Sequence, residues 1–268
     1  MSLRIVEWTD FLENTACREP SAMTIGVFDG IHLGHRELIK RIVKRGPNPT
    51  IVTFRENPKK IVSRETYDGD IFSLNQKIEI FEQLGIRSLI LIDFSENFSK
   101  LTGRDFLDLL EDQGKMVFLA IGSNFRCGHQ TDTDAGEIAE INSRKRIPTE
   151  LVAPVELPSA FGTGPVSSSR VRSAILSGDL KMAAALLGRN FELDLSDIKP
   201  AAVVWGERHG LAYDLRSVHR IVPAAGLYPV LLSPGSTKSA AYVEEGKVFL
   251  PELQSADSAE GIEFIMDY

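Results

Sequence analysis

Residues 23–46 read MTIGVFDGIHLGHRELIKRIVKRG, and the succession of residue types within them decides the fold. The opening run, MTIGVF (23–28), is apolar and the length of a buried strand. Leu38, Ile39, Ile42 and Val43 then recur at helical spacing, with Gly46 as the stop. Between strand and helix lie Gly26, Gly30 and Gly34 and two histidines three apart, His32 and His35. A helix start leaves backbone N–H groups free and carries a positive partial charge, so it is an anion site. Glycines let a phosphate approach the backbone closely. Side chains offset by three on a helix meet, and each imidazole can donate a hydrogen bond to a phosphate oxygen. The pair can stabilise the negative charge that builds during phosphoryl or nucleotidyl transfer. The same residues also serve packing or capping in other proteins, so the stretch is weighed with what surrounds it.

Working outward, the alternation continues. TIVTF (50–54), RSLILIDF (87–94) and MVFLAIG (116–122) read as strands. LNQKIEIFEQLG (74–85) and TGRDFLDLLEDQG (102–114) read as helices, the first ended by Gly85 and the second opened by Thr102. Strand–helix alternation of this kind predicts a parallel α/β sheet. SSRVRSAILSGDLKMAAALLG (168–188) reads as two short helices around a turn at Gly178–Asp179. Beyond Gly188 the pattern becomes short β-like pieces, AAVVW, GLYPVLL, SAAYV and GKVFLP, which predicts a small, mostly antiparallel β domain from about 192.

The 268 residues suffice for one large or two ordinary domains, and 43% hydrophobic with 25% charged residues is a globular balance. The net charge of −7 excludes the basic footprint of a nucleic-acid binder. The excess is local: residues 192–268 carry 12 acids against 6 bases, so the rest of the chain does not repel a polyanionic ligand. Cys17 and Cys127 are far apart and form no CxxC, which fits a reducing cytoplasm. No apolar run approaches a membrane span, and MSLRIVEWTDFLEN has no signal-peptide core. A cytoplasmic protein with no membrane partner is expected. His129, in CGHQTDTDAGE, reads as a loop residue, and no protein-held metal is expected.

GVFDGIHLGH (26–35) resembles the G-x-F-D-x-x-H-x-G-H signature of the HIGH-motif nucleotidylyltransferases, which join a nucleoside triphosphate to a second substrate and release pyrophosphate. Four further blocks resemble one branch, the bacterial FAD synthetases. TFRENP (53–58) is similar to T-F-E-P-H-P, and LNQKIEIFEQLGI to the K-x-x-x-x-x-x-L-G helix. GSNFRCG (122–128) is similar to G-x-D/N-F-x-F-G. VSSSRVR (166–172) with LSGDLKMAAALLGRNF (176–191) is similar to I-S-S-T-R-I-R followed by G-D-x-x-x-A-x-x-L-G-R-P-Y. The blocks stand in the family's order across residues 22–191. With the strand pattern, the resemblance implies a Rossmann-like nucleotidylyltransferase domain (1–187) and a shortened β-barrel-like domain (192–268).

The resemblance also implies roles. His32, His35 and Arg172 would be catalytic. Gly26, Phe28, Asp29, Gly30, Gly34, Ser168 and Ser169 would bind ATP, the serines as hydroxyl caps of a second helix start. Asn57, Asn124 and Phe125 would position the flavin or its phosphate. The reaction implied is FMN plus ATP giving FAD and pyrophosphate, with magnesium carried mainly by phosphate oxygens and water. The alternatives are transfer to another acceptor, or a non-catalytic flavin or nucleotide sensor.

The sequence departs from the family at several points. Arg55, Glu56 and Asn57 stand where the pattern reads E-P-H, Cys127 where it has an aromatic, and Asn190–Phe191 where it has Pro-Tyr. Residues 192–268 resemble the riboflavin kinase module that bacterial FAD synthetases usually carry there. RIVPAAGLYPVLL (220–232) is similar to its P-x-x-G-V-Y strand, and GIEFIMDY (261–268) puts Glu263 at the position of its catalytic glutamate. The module's P-T-A-N motif is missing from these residues, so a degenerate module without kinase activity is expected.

Overall fold

A computed structural model describes residues 2–13, 19–46, 48–94, 96–159, 162–205, 207–251, 253 and 258–265, and Cys17 lies outside them. Contacts divide the chain into two compact units. One comprises Met1–Arg64 and Lys77–Pro165; the other comprises Glu65–Gln76 and Val166–Tyr268. Packing therefore divides the chain at 165/166 and assigns residues 65–76 to the second unit, whereas the sequence line was drawn at 187/192.

In chain order the first stretch gives β1 (Arg4–Glu7), α1 (Trp8–Leu12), β2 (Ser21–Ile25), α2 (Leu33–Arg45), β3 (Pro49–Phe54) and α3 (Lys59–Val62). Then come α4 (Leu74–Gln83), β4 (Ser88–Ile92), α5 (Glu96–Ser99), α6 (Gly103–Asp112) and β5 (Met116–Gly122). Two short strands, β6 (Arg126–Cys127) and β7 (Thr133–Asp134), lead to α7 (Ala135–Arg144) and β8 (Thr149–Val152), followed by the hairpin β9 (Glu156–Ser159) and β10 (Gly162–Pro165).

The main sheet is parallel throughout, in the order β1-β4-β3-β2-β5-β8. This is the parallel α/β sheet that the alternation predicts. Both faces of its central strands are covered, which is why they read as unbroken apolar runs. Met23, Ile25, Ile90, Ile92, Leu119 and Ile121 face a core shared with α1, α6 and α7. α2 packs on β2, β3 and β5 and buries Leu38, Ile39 and Ile42. The β2 strand ends at Ile25, three residues short of the apolar run. The N–H of Gly26 still bonds Val52 O (3.1 Å), but Phe28 turns to φ +52° and leaves the extended region.

The second unit contains α8 (Ser168–Leu176) and α9 (Leu180–Leu187), with Gly188 in the left-handed conformation closing α9. Seven strands follow: β11 (Glu192–Asp194), β12 (Ala201–Trp205), β13 (Arg208–Asp214), β14 (Gly226–Ser233), β15 (Thr237–Glu244), β16 (Lys247–Pro251) and β17 (Gly261–Phe264). They form one antiparallel sheet in the order β11-β17-β14-β15-β16-β13-β12. Leu193, Leu211, Tyr213, Val230, Phe249 and Ile262 are buried within the unit.

Residues 65–76 join this unit through specific bonds. Asp70 pairs across with the main chain of His219–Ile221: its N–H donates to His219 O (2.8 Å), and its carbonyl accepts from the Ile221 N–H (3.1 Å). Ser73 Oγ donates to Asp194 Oδ2 (2.5 Å), and Gln76 Nε2 to Glu192 O (3.1 Å). Phe72 stacks on Phe191, and the Arg189 guanidinium lies 4.8 Å from the centre of the Phe72 ring.

Candidate active site

In a doubly wound sheet, ligands bind at the carboxyl ends of the strands where the strand order reverses. Here β2 is that point: β3 follows it on one side and β5 on the other. The loops leaving β2 and β5 are the GVFDGIHLGH and GSNFRCG segments.

The loop after β2 is compact and strained. Phe28 (φ +52°), Gly30 (φ +80°) and Ile31 (φ +41°) all take left-handed conformations. For β-branched Ile31 this is a true outlier, with a cost of about 1–3 kcal/mol that the surrounding packing must hold. Phe28, Asp29, Gly30 and Ile31 are all buried. The turn is closed by the Ile31 N–H, which donates to Phe28 O (3.4 Å). The Phe28 ring is directed into the interior. It meets Phe81 of α4 edge-on at 5.7 Å and the His35 ring at 5.0 Å.

His32 is the N-cap of α2, and its Nδ1 accepts the backbone N–H of His35 (3.3 Å). That bond leaves Nε2 to carry the proton of a neutral ring. The two imidazoles stack at 3.7 Å with 15° between their planes. His35 Nδ1 is buried and has no hydrogen-bond partner among the described residues. Burial pushes the His35 imidazole well below the usual histidine range, and the charges of His32 and Lys77 push the same way. His35 is therefore neutral at physiological pH, a hydrogen-bond donor at one nitrogen and an acceptor at the other. Gly34, in the first turn between them, is half-buried.

After β5, the Phe125 N–H bonds Gly122 O (2.9 Å), which turns the chain and leaves Asn124 exposed. Phe125 is half-buried and packs against the core. After β3, Asn57 is buried, and its Oδ1 accepts the Lys59 N–H (3.1 Å) at the start of α3. Arg55 is held to Glu7 and Asp93, so its departure from the family pattern is balanced by an ion pair. Cys127 has its thiol pushed up to about 12 by burial and by Asp132, which keeps it protonated and unreactive.

Ser168, Ser169 and Arg172 belong to the other compact unit. The hydroxyl that caps α8 is that of Ser167, which accepts the Arg170 N–H (3.3 Å), and this corrects the capping role given to Ser168 and Ser169. Those two occupy the first turn of the helix, Ser168 half-buried and Ser169 exposed. Arg172 is buried, and its Nε donates to Gly69 O (3.2 Å).

Sequence reading missed two residues of the first site. Lys77 is only 6% exposed and close enough to act on His35. Its signal was the K of the LNQK block, read there as part of an amphipathic helix. Ile31 carries strain that no composition rule reports. Among the described residues, no three His, Cys, Asp or Glu side chains gather as a metal site, and no helix is long and apolar enough to cross a membrane.

A family model described as FAD synthetase matches residues 14–170. The chain belongs to the FAD synthetase family. It is similar to the bifunctional riboflavin kinase/FMN adenylyltransferase of Buchnera aphidicola subsp. Acyrthosiphon pisum, with 26% identity over 178 residues, 65% of this chain and 56% of that protein. The protein of the same name from Escherichia coli K12 is 26% identical over 227 residues, 80% of this chain and 69% of that one. The match thus spans little more than half the length of the first of these relatives. Among solved structures, a macrolide-efflux protein from Streptococcus pneumoniae superposes with a TM-score of 0.79 at 22% identity, covering 99% of this chain and 92% of that one. At that identity the likeness concerns the fold. The family membership makes this chain a nucleotidyltransferase-type protein, and its structure has a parallel α/β sheet followed by a separate antiparallel one.

Proposed function

We propose that the chain transfers the adenylyl group of ATP to FMN, forming FAD and pyrophosphate, and that residues 1–187 carry this activity. The observation that carries the reading is the paired, oriented imidazoles of His32 and His35 at the strand-order reversal of a FAD synthetase family sheet. An FMN phosphate oxygen attacks the α-phosphorus of ATP in line; the bond from that phosphorus to the bridging oxygen breaks, and pyrophosphate leaves. No protein nucleophile is required, so catalysis is positioning and charge stabilisation. His32, fixed by its bond from the His35 N–H, offers Nε2–H to a phosphate oxygen. His35, kept neutral, donates one hydrogen bond without a proton to lose. The α2 start supplies backbone N–H groups. Ser168, Ser169 and Arg172 add hydroxyls and a fixed charge for the triphosphate, and Asn57, Asn124 and Phe125 serve the acceptor side. Magnesium arrives with ATP and offsets the charge of its phosphates. The site works in the cytoplasm on small molecules.

Residues 192–268 are assigned no riboflavin kinase step. They carry no P-T-A-N, and the Glu263 carboxylate is bonded by Asn190 Nδ2 (2.8 Å).

The test is turnover with ATP and magnesium, starting in parallel from FMN and from riboflavin, with flavins separated chromatographically and pyrophosphate measured. FAD and pyrophosphate form from FMN alone. Replacing His32 and His35 together with Ala lowers kcat by at least about 10²-fold while the fold is kept. FAD formation by that variant at the normal rate refutes the assignment. Ligand binding by the unaltered chain without pyrophosphate release points to a sensor, and turnover with a different acceptor removes FMN from the reading.

A further inference from the structure

Arg172 is a buried guanidinium whose Nε edge is tied to one main-chain carbonyl, that of Gly69. A guanidinium is planar, so a bond at Nε fixes the plane and with it the direction of its terminal amines. Gly69 is not itself in a helix or strand. Its φ is +122°, and a Cβ there would lie 2.7 Å from His219 O. The carbonyl is held instead by what its neighbours touch. Asp70 is bridged to the main chain of His219 and Ile221, and Ser73 bonds Asp194. Arg220 joins those two anchor points: Nη1 donates to Asp194 O (2.6 Å) and to Asp197 Oδ1 (2.7 Å). The contacts close a ring from Gly69–Asp70 through 219–221, Arg220, Asp194 and Ser73 back to the same segment, all within one compact unit.

We infer that residues 65–76 are a positioning strap for Arg172, and that the β domain holds the strap in place through Asp194 and the 219–221 main chain. Gly69, Ser73 and Asp194 are positioning residues, each holding the segment that bonds Arg172, although Ser73 Oγ also accepts the Gln76 N–H (3.0 Å) at the start of α4. The inference rests on the reading of Arg172 as a triphosphate ligand. It gives the β domain a task in adenylyl transfer that requires none of the kinase motif it lacks.

The experiment is a double-mutant cycle on the full chain, read as Mg-ATP affinity by calorimetry, with FMN affinity and the melting transition recorded for each variant. Ser73→Ala weakens Mg-ATP binding about five- to tenfold, and Arg172→Ala weakens it more; the double variant is no weaker than Arg172→Ala alone, because both act on one interaction. Gly69→Ala, which must displace the strap, reproduces the Ser73→Ala effect. FMN affinity is unchanged throughout. A purely architectural strap predicts a lowered melting transition with unchanged ATP affinity, or an effect of Ser73→Ala that adds in full to that of Arg172→Ala; either overturns the inference. If Gly69→Ala does not fold, Ser73→Ala decides alone. An unaltered chain that binds ATP but makes no FAD refutes the proposed reaction and leaves the cycle to decide the strap. An unaltered chain that binds no ATP overturns both.

Discussion

Replacing Phe28 tests whether the strained loop is held by packing. The ring is fully buried, edge-on to Phe81 and against His35. Truncating a buried phenylalanine costs about 3–5 kcal/mol, part of it the cavity left behind. Phe28 also sits at φ +52°, where a residue with a Cβ loses about 1–2 kcal/mol that glycine does not. At an ordinary position, Gly is less stable than Ala by about 0.5–1 kcal/mol because it gains freedom on unfolding. Here the two effects oppose. Phe28→Ala is therefore expected to lose about 3.5 kcal/mol, a drop of roughly 1.75 M in urea midpoint for a slope near 2 kcal/mol/M. Phe28→Gly should match Phe28→Ala or exceed it in stability. Trp8, buried in the same compact unit, reports its unfolding by fluorescence. A midpoint within about 0.5 M of the unaltered protein, or a glycine variant more than about 1 kcal/mol below the alanine variant, refutes the reasoning.

Two further outcomes follow from buried charges. His35 titrates lower in the folded chain than in the unfolded one, so the unfolded state takes up the extra proton as the pH falls. The corresponding stability is complete above about pH 6.5 and is lost below it at about 1.4 kcal/mol per pH unit. His35→Gln flattens that slope in urea titrations between pH 6.5 and 5, and equal slopes refute the neutral assignment. Arg220 is 6% exposed at its side chain, against 44% for its partner Asp197. Arg220→Ala should cost about 3–5 kcal/mol, since it leaves not only half-solvated Asp197 but also the buried Asp194 carboxylate, 3.9 Å from its Nη2, without this cation. Arg220→Lys should restore less than half, because lysine cannot make the two-pronged contact. Thermal melts decide both, and an Ala variant as stable as the unaltered chain removes the network from the account.

The central strands were legible because both of their faces are buried. β3, β4 and β5 fall within a residue or two of the apolar runs that announced them. β1 and β8 were not read. Each is a four-residue edge strand with one neighbour, so RIVE and TELV mix polar and apolar residues as one-sided burial allows. The helix start at HLGH was legible from its glycines and spacing. That His32 would cap α2 through its own ring, while Phe28 and Ile31 turned left-handed, was not, since neither residue type favours that conformation. Ser167 looked like one serine of three; the φ/ψ of the first turn, which sequence does not display, made it the cap. Residues 65–73 carried no signal, because what holds them is bonded from afar: Ser73 and Asp194 are 121 positions apart.

That separation has a consequence on the ribosome. Residues 65–76 are synthesised long before the strands that complete their packing, the last of which, β17, ends at Phe264. At about 5–20 residues per second, the wait is on the order of ten to forty seconds. Phe72 and Ser73 wait for their own partners, Phe191 and Asp194, through the first part of it, since Asp194 follows Ser73 by 121 positions. A chaperone that binds apolar segments has its longest opportunity here, and a pause in translation between α9 and β17 prolongs it.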